Sequence, residues 1–202
     1  MKLPRPHFSY SQLNLWEKSP TKYIQKYILG EEMDIESPQI EFGKEVALAM
    51  QSGKSKNRAI QHLLEHFKAY PYREHELTAN LKIGANKRVK LLGLLDGFNP
   101  KTSEIGEYKT GSGRWSQTTV NESLQLTFYA LLYYLKFKKL PKKIMLHWAE
   151  TKTIDGRVNL TGRIYSFETE RTKIDILKMQ IRIKKVVANI EKELKKRLKE
   201  LK

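Results

Sequence analysis

The sequence predicts an α/β protein in which a mixed central β-sheet is flanked by α-helices and followed by a long basic C-terminal helix. Helical spacing of apolar residues dominates up to residue 69, and strand-like patterns with turn signals follow from Glu76 to Thr110. A further helix, a hairpin and a last helix complete the order ααα-βββ-α-ββ-α. Such an order places helices against the faces of one sheet.

Three helices are expected in the N-terminal part, over residues 9–29, 41–51 and 56–69. Ser9 or Ser11 is the expected N-cap of the first helix, because a hydroxyl there can accept a bond from a free backbone N–H. Pro20 should break or kink that helix, since proline lacks the N–H that a helix interior uses.

Strands are expected at residues 76–83, 88–98 and 104–110, and a hairpin at residues 144–153 and 158–167. Asp155-Gly156 predicts the tight turn of that hairpin. Between these groups, Thr119-x-x-Glu122 has the spacing of a capping box and predicts a helix that runs to about Phe137.

The tail, residues 173–202, is predicted to form one amphipathic helix. Residues 171–202 carry 12 Lys and Arg against 4 Asp and Glu, a balance of +8. The predicted organisation is therefore a domain over residues 1–170 and a basic helix over 171–202, packed on it or appended to it. That helix could bind a partner protein or a second copy through its apolar stripe, and its cations could contact phosphates. The cations concerned are Lys195, Lys196 and Arg197.

The net charge of +16 indicates a polyanionic partner, with nucleic acid first and an anionic membrane surface second. A lysine-rich composition with a solvated surface is the alternative. The absence of cysteine excludes disulfides, thiolate zinc sites, iron–sulfur clusters and cysteine nucleophiles. No apolar run approaches the ~20 residues that span a bilayer, and the start lacks the pattern of a signal peptide. We therefore expect a soluble cytoplasmic protein with no membrane partner.

A candidate metal site follows from the strands on either side of Asn99-Pro100. If they pair as a symmetric hairpin, Asp96 faces Glu107, with side chains on the same face. Lys109, two residues further along, shares that face. Two carboxylates beside an ammonium suit a divalent cation and its bound water. A solvated hairpin face could carry the same charges, and the three residues alone do not separate these interpretations.

Four motifs follow one another along the chain, namely Phe8-Ser9-Tyr10-Ser11-Gln12-Leu13 with Trp16 and Tyr23, Gly93-Leu94-Leu95-Asp96, Ile105-Gly106-Glu107-Tyr108-Lys109-Thr110-Gly111, and Gln125 with Tyr129. In this order they resemble the motifs of the PD-(D/E)xK nucleases, specifically of the RecB-like exonuclease branch. The resemblance implies a restriction-endonuclease-like core. It also implies a metal-dependent DNA exonuclease that acts on ends or single strands, in repair, recombination or phage and mobile-element processing.

The resemblance also implies roles for single residues. Asp96, Glu107 and the Tyr108 carbonyl would bind Mg²⁺ or Mn²⁺, and Lys109 would position the attacking water. Gln125 would orient the lysine or the substrate backbone, and Tyr129 would pack beneath it or touch DNA. Glu76, on the preceding strand, is a further candidate for the site.

Arg114-Trp115 lies just beyond the metal-binding strand. The pair could stack on a base or bind a phosphate. A tryptophan that simply covers the core is the alternative.

The chain departs from the branch pattern in two places. A histidine usually follows a helix glycine by four residues, but here Gly43 leads to Ala47. Ser19-Pro20 stands where some members have the Cys-Pro of an iron–sulfur cluster, so no cluster is expected. The missing histidine keeps a second interpretation open, a catalytically inactive DNA-binding module with the nuclease fold.

A third and weaker interpretation comes from His62-Leu63-Leu64-Glu65-His66, which has the H-x-x-E-H spacing of a class of zinc peptidases. Both histidines are expected on the polar side of a short helix, where a solvated face is the simpler explanation.

Overall fold

A computed structural model describes residues 3–32 and 37–200 of the chain. The helices are α1 (Tyr10–Lys18), α2 (Pro20–Ile24), α3 (Pro38–Ser52), α4 (Arg58–His66), α5 (Gln117–Asn121), α6 (Leu124–Phe137) and α7 (Lys173–Glu200). The strands are β1 (Phe8–Ser9), β2 (Tyr72–Lys82), β3 (Arg88–Asn99), β4 (Glu104–Gly111), β5 (Lys143–Ile154) and β6 (Arg157–Thr169). A single π-helical turn, Gln25–Leu29, continues α2.

The six strands form one mixed sheet. Antiparallel pairs join β2 to β3, β3 to β4 and β5 to β6, whereas β1 with β3 and β4 with β5 are parallel. A parallel pair needs a crossover connection, and α5 and α6 supply it between β4 and β5. The predicted fold class, a mixed sheet flanked by helices with a long C-terminal helix, is confirmed.

Helices cover the two faces of the sheet and enclose two apolar clusters. The larger cluster includes Leu13 of α1, Phe128 of α6 and Ile183 of α7, all fully buried. The smaller cluster lies between the sheet and α3 and α4 and includes Tyr108 of β4. The catalytic candidates lie where β3 and β4 run between these helical layers. No helix within the described residues is long and apolar enough to cross a membrane.

The N-terminal motif anchors the first helices to the sheet. Phe8 of β1 pairs with Leu91 of β3 and is fully buried. The Ser9 hydroxyl caps α1 by accepting a bond from the Gln12 N–H. The Tyr23 hydroxyl donates to the buried Gln12 amide oxygen at 3.3 Å. As predicted, the first helix breaks at Pro20, which occupies the first turn of α2.

The predicted capping box was wrong. Ser116 and Thr119 form the actual box, which starts the short helix α5, and Glu122 lies at the C-terminal end of that helix. The longer helix α6 begins afterwards, with Ser123 as its N-cap. Ser116 offers a hydroxyl to the Thr119 N–H, and Thr119 offers its own hydroxyl to the Ser116 N–H, so the box closes without a glutamate.

Helix α7 forms part of the larger apolar cluster. The predicted stripe is buried at Ile183, Val187 and Ile190, but it leaves the core at Leu198, which is 53% exposed. A second set of apolar residues on α7 is exposed, namely Ile174, Leu177 and Ile181. Residues 201–202 of the predicted tail lie outside the described residues. The boundary at residue 170 and the partner on α7 remain predictions.

Candidate active site

Strands β3 and β4 pair for only three rungs before they separate. The rungs are Gly97 with Gly106, Phe98 with Ile105 and Asn99 with Glu104, which is the predicted register. The next rung would join Asp96 to Glu107, but there the Asp96 carboxylate accepts a hydrogen bond from the Tyr108 N–H at 2.8 Å. The side chain thus bridges the opening between the strands.

A second irregularity lies opposite Asp96, in strand β2. Glu74 has a φ of 50°, a left-handed conformation that is rare for a glutamate. Tyr72 and His75, on either side of it, both pack against Phe98, although residues three apart in a regular strand point to opposite faces. The backbone therefore turns over at Glu74, and this places its carboxylate near Asp96.

A cavity of about 500 Å³ contains the candidate site. Strands β2, β3 and β4 form one wall, α3 a second and the start of α6 a third. The charged and amide side chains on its walls are Gln39, Gln51, Glu74, Asp96, Glu107, Lys109 and Gln125. Six of the candidate residues thus line one cavity, namely Asp96, Glu107, Tyr108, Lys109, Gln125 and Tyr129.

Glu107 is the centre of a polar network in this cavity. Its carboxylate forms an ion pair with Lys109 and accepts a bond from the Gln125 amide at 2.6 Å. The same amide nitrogen donates to the Tyr129 hydroxyl at 2.9 Å. Gln125 therefore contacts Glu107, whereas the resemblance implied that it would orient the lysine or the substrate backbone. Tyr129 is buried beneath it, packed against the strand at Gly93, where a Cβ would overlap with Leu132.

The electrostatics of the cavity disfavour two free carboxylates side by side. Burial, and then the nearby Asp96, raise the pKa of Glu107 to about 8, although Lys109 opposes this. Burial also raises the pKa of Asp96, against the Tyr108 N–H and Lys109, which lower it. Burial alone would lower the pKa of Lys109, but its pairing with Glu107 gives a net rise. Positive charge in addition to Lys109 would therefore favour ionisation of both carboxyl groups.

The donor set fits a hard divalent cation. One oxygen of Glu107, Oε2, is buried and has no hydrogen-bond partner within the described residues. Leaving a buried carboxylate oxygen unpaired is costly, and a cation would remove that cost. Asp96, Glu107 and Glu74 offer carboxylate oxygens and Tyr108 a carbonyl, the ligands that Mg²⁺ and Mn²⁺ accept.

Glu74 is the site residue that the sequence did not reveal. Burial, and then Asp96, raise its pKa, which places it within the electrostatic reach of the carboxylate pair. The further candidate Glu76 is exposed, pairs with Leu94 and does not line the cavity. Alternation along β2 gives no sign of Glu74, because its position depends on the left-handed backbone at that residue.

Gly43 and Ala47 of α3 line the cavity, so the position of the missing histidine belongs to this site. Met50 and Gln51 also line it, one turn further along α3, as the helical spacing predicted. Glu45 lies elsewhere, beside a separate cleft between α3 and the loop that precedes α4. No imidazole lines the cavity within the described part of the chain.

The remaining candidates lie outside this cavity. Arg114 and Trp115 line a cleft next to Trp148 and Tyr165. Lys195 is exposed near the end of α7, and Arg197 is paired with Glu193 at 2.9 Å. Lys196 is also exposed and does have an interaction partner.

The three residues of the zinc-peptidase interpretation lie close together, but outside the cavity of the candidate site. His62, Glu65 and His66 bring their ligand atoms within 4.8 Å of one another on α4. All three side chains are exposed, and none lines the cavity of Asp96 and Glu107.

Comparisons with known proteins give structural relatives only. No protein-family model matches the sequence, and no curated protein matches it. A solved structure from Eubacterium rectale, named as a candidate exonuclease, aligns with a TM-score of 0.60 at 11% identity over 93% of this chain and 82% of that chain. LHK-Exo in complex with dAMP aligns with a TM-score of 0.54 at 13% identity, over 98% and 96% of the two chains. At these identities the likeness is one of fold.

Proposed function

We propose that the chain is a divalent-metal-dependent DNA nuclease of the PD-(D/E)xK type, in its RecB-like branch, and that it acts on DNA ends or single strands as an exonuclease. The observation that carries the proposal is the cavity lined by Glu74, Asp96, Glu107 and Lys109, in which one Glu107 oxygen is buried without a hydrogen-bond partner within the described residues. The names of the two structural relatives, a candidate exonuclease and LHK-Exo, agree with this activity.

The bound ion would be Mg²⁺ or Mn²⁺, which lowers the pKa of its water and offsets charge on the phosphate. Asp96, Glu107 and the Tyr108 carbonyl would hold it. Lys109 would orient the attacking water and balance charge that develops on the scissile phosphate. Gln125, fixed by Tyr129, would keep the Glu107 carboxylate directed at the ion.

DNA is the proposed substrate because one groove on the surface carries positive charge without carboxylates on its walls. A groove of about 850 Å³ between the β2–β3 ribbon, α6 and α7 is lined by six cations and, within the described residues, by no carboxylate. They are Lys82, Arg88, Lys90, Lys136, Lys138 and Lys184. Lys82 and Arg88 face each other across the strands, an arrangement that destabilises a sheet unless an anion lies between them. A phosphate backbone is such an anion.

Ala47 favours a second candidate, an inactive DNA-binding module with the nuclease fold. A site without the histidine has one protein ligand fewer, so its affinity for the metal is reduced. The two candidates differ in one measurable property, metal-dependent hydrolysis.

Incubation of labelled single-stranded and duplex DNA with Mg²⁺ or Mn²⁺, against an EDTA control, tests the proposal. Asp96→Asn, Glu107→Gln and Lys109→Met should each abolish cleavage while the far-ultraviolet circular dichroism spectrum is retained. A variant that cleaves at the wild-type rate would show that its residue is misassigned. Wild-type binding without metal-dependent cleavage would favour the inactive module.

A further inference from the structure

A row of paired positions links the catalytic lysine to aromatic side chains across the sheet. Lys109 of β4 pairs with Trp148 of β5, and Trp148 pairs with Tyr165 of β6. Paired residues in adjacent strands project from the same face of a sheet. Since strands lie ~4.8 Å apart, Tyr165 begins about 10 Å from Lys109. A nucleotide next to a phosphate at the metal site can cover that distance.

The aromatic end of this row is open to solvent. The Trp148 and Tyr165 rings stack, with centroids 5.9 Å apart and planes 15° from parallel. Trp148 is buried, whereas Tyr165 is 49% exposed. Tyr165 therefore rests on a rigid support and still presents ring surface, as a platform for a planar ligand requires.

These rings border a cleft of about 610 Å³ that also contains cations. Trp115 and Phe167 complete the aromatic lining, and Arg114 and Arg163 add two guanidinium groups. Arg114 is exposed and has no hydrogen bond or ion pair within the described residues. Glu150 also lines the cleft, but its carboxylate lies 3.5 Å from Arg163 and accepts a bond from the Thr161 hydroxyl. The free charge at the cleft is thus positive.

We infer that this cleft binds an unpaired nucleobase of the DNA strand whose phosphate lies at the metal site. The base stacks on the Tyr165–Trp115 wall, and Arg114 and Arg163 contact the neighbouring phosphates. Aromatic platforms beside cations bind single strands with little sequence preference, because every base has a π-face. A base inside a duplex is not available for such stacking, so the cleft gives preference to single-stranded or frayed DNA. The inference rests on the proposed function for the phosphate at the metal site.

Abasic DNA separates base stacking from phosphate binding. Affinity is measured in EDTA, where DNA stays intact, for a thymidine oligonucleotide and for an abasic strand of the same length. The wild type should bind the thymidine strand about tenfold or more tightly than the abasic strand. Tyr165→Leu and Trp115→Leu should lose most of this ratio, and Tyr165→Phe should keep it. Phe137→Leu, which removes another partly exposed aromatic ring, is the matched control and should also keep it.

Equal affinity of the wild type for both strands, or no affinity for DNA, would overturn the inference. So would an unchanged ratio in Tyr165→Leu and Trp115→Leu with melting temperatures that show both variants to be folded. The cleavage assay is independent of these results. Metal-dependent cleavage with an affinity ratio that Tyr165→Leu and Trp115→Leu do not change would support the nuclease activity and contradict base binding at the cleft. An affinity ratio that depends on these two residues, without cleavage, would support base binding and contradict the nuclease activity.

Discussion

At the scale of single residues, Glu74 combines backbone strain with charge. A left-handed φ costs an L-residue about 1 kcal/mol or more, and the nearby Asp96 adds repulsion. Strained residues persist where the surroundings hold them, and they occur at functional sites. Since the strain lies at the cavity that holds the unpartnered Glu107 oxygen, we interpret it as the cost of a further metal ligand.

Replacement of Glu74 by glycine should therefore separate stability from metal binding. Glu74→Gly relieves the strained φ, so we expect a free energy of unfolding equal to the wild type or higher, with weaker Mn²⁺ binding. Glu76→Gly is the matched control on the same strand. It should lose about 0.5–1 kcal/mol, as a glycine in a strand does, and keep its Mn²⁺ affinity. Urea denaturation and calorimetry measure the two quantities. Unchanged Mn²⁺ affinity in Glu74→Gly would exclude Glu74 as a ligand.

Ala47 allows the complementary experiment, in which a ligand is added. We expect weak metal binding that the DNA phosphate completes, so activity should require millimolar metal, with Mn²⁺ more effective than the geometrically stricter Mg²⁺. Ala47→His should tighten binding and raise activity, whereas Ala47→Leu adds bulk without a ligand and should not. Calorimetry with and without an oligonucleotide tests this. Tight binding by the free wild type would mean that another residue, with Glu74 the first candidate, already fills the position.

At the scale of elements, α7 has two roles to separate, since its buried stripe belongs to the core while its last turns are exposed. Replacing Lys195, Lys196 and Arg197 by Gln should flatten the log–log dependence of DNA affinity on salt, by up to about 0.9 for each phosphate that is no longer neutralised. Arg197 is paired with Glu193, so the flattening should be smaller than the value for three phosphates.

The matched control for α7 replaces Lys54, Lys56 and Arg58, two lysines and one arginine that are also exposed. It lowers the net charge equally but changes the loop before α4 and its first residue. If both triple variants flatten the slope alike, the effect comes from net charge, and α7 is only a structural or oligomerising helix.

Local patterns predicted some elements of the site and could not predict others. The β3–β4 register followed from the short turn, because a tight hairpin fixes which residues face each other. The Trp148–Tyr165 row beside Lys109 did not follow, since the register of a parallel pair depends on how a crossover helix packs. Glu74 was missed for a related reason, because its placement depends on one backbone angle rather than on alternation.

At the scale of the whole molecule, two buried groups give the stability of the fold opposite dependences on pH. Burial, and then Lys68, lower the pKa of His147 to about 4. Its ring nitrogens bond to the Tyr70 hydroxyl at 3.1 Å and the Ser166 hydroxyl at 2.7 Å, on the opposite side of the sheet from Glu107. Glu107, whose pKa is raised to about 8, lies in the cavity of the candidate site. A fall in pH should therefore destabilise the fold through His147, and a rise in pH should destabilise it through Glu107.

His147 accounts for the loss of folding stability at low pH. Its folded pKa is about 4 against an ordinary 6.5, so between these values the unfolded chain binds more protons. Stability from this group is complete above pH 6.5 and falls by about 3 kcal/mol as the pH drops towards 4. His147→Gln cannot titrate, so its free energy of unfolding should change less over this range. Urea denaturation at pH 4.5 and 6.5 measures the difference, and parallel losses in the two proteins would contradict the assignment.

Glu107 accounts for the loss of stability with rising pH, and this loss should disappear when metal binds. The folded protein keeps a proton on Glu107 that the unfolded chain releases above pH 4.5, so stability from this group falls as the pH rises from 4.5 to 8. Glu107→Gln stays neutral, so without metal it should exceed the wild type at pH 8.5 by on the order of 2 kcal/mol. Mn²⁺ replaces the proton and stabilises the folded wild type by mass action, so it should remove that advantage.

Mn²⁺ should leave the loss of stability at low pH unchanged, because His147 lies outside the cavity that contains Glu107. Urea denaturation at pH 8.5 and 4.5, with and without Mn²⁺, tests both statements, and an equal gain from Mn²⁺ in Glu107→Gln would show that the ion binds elsewhere.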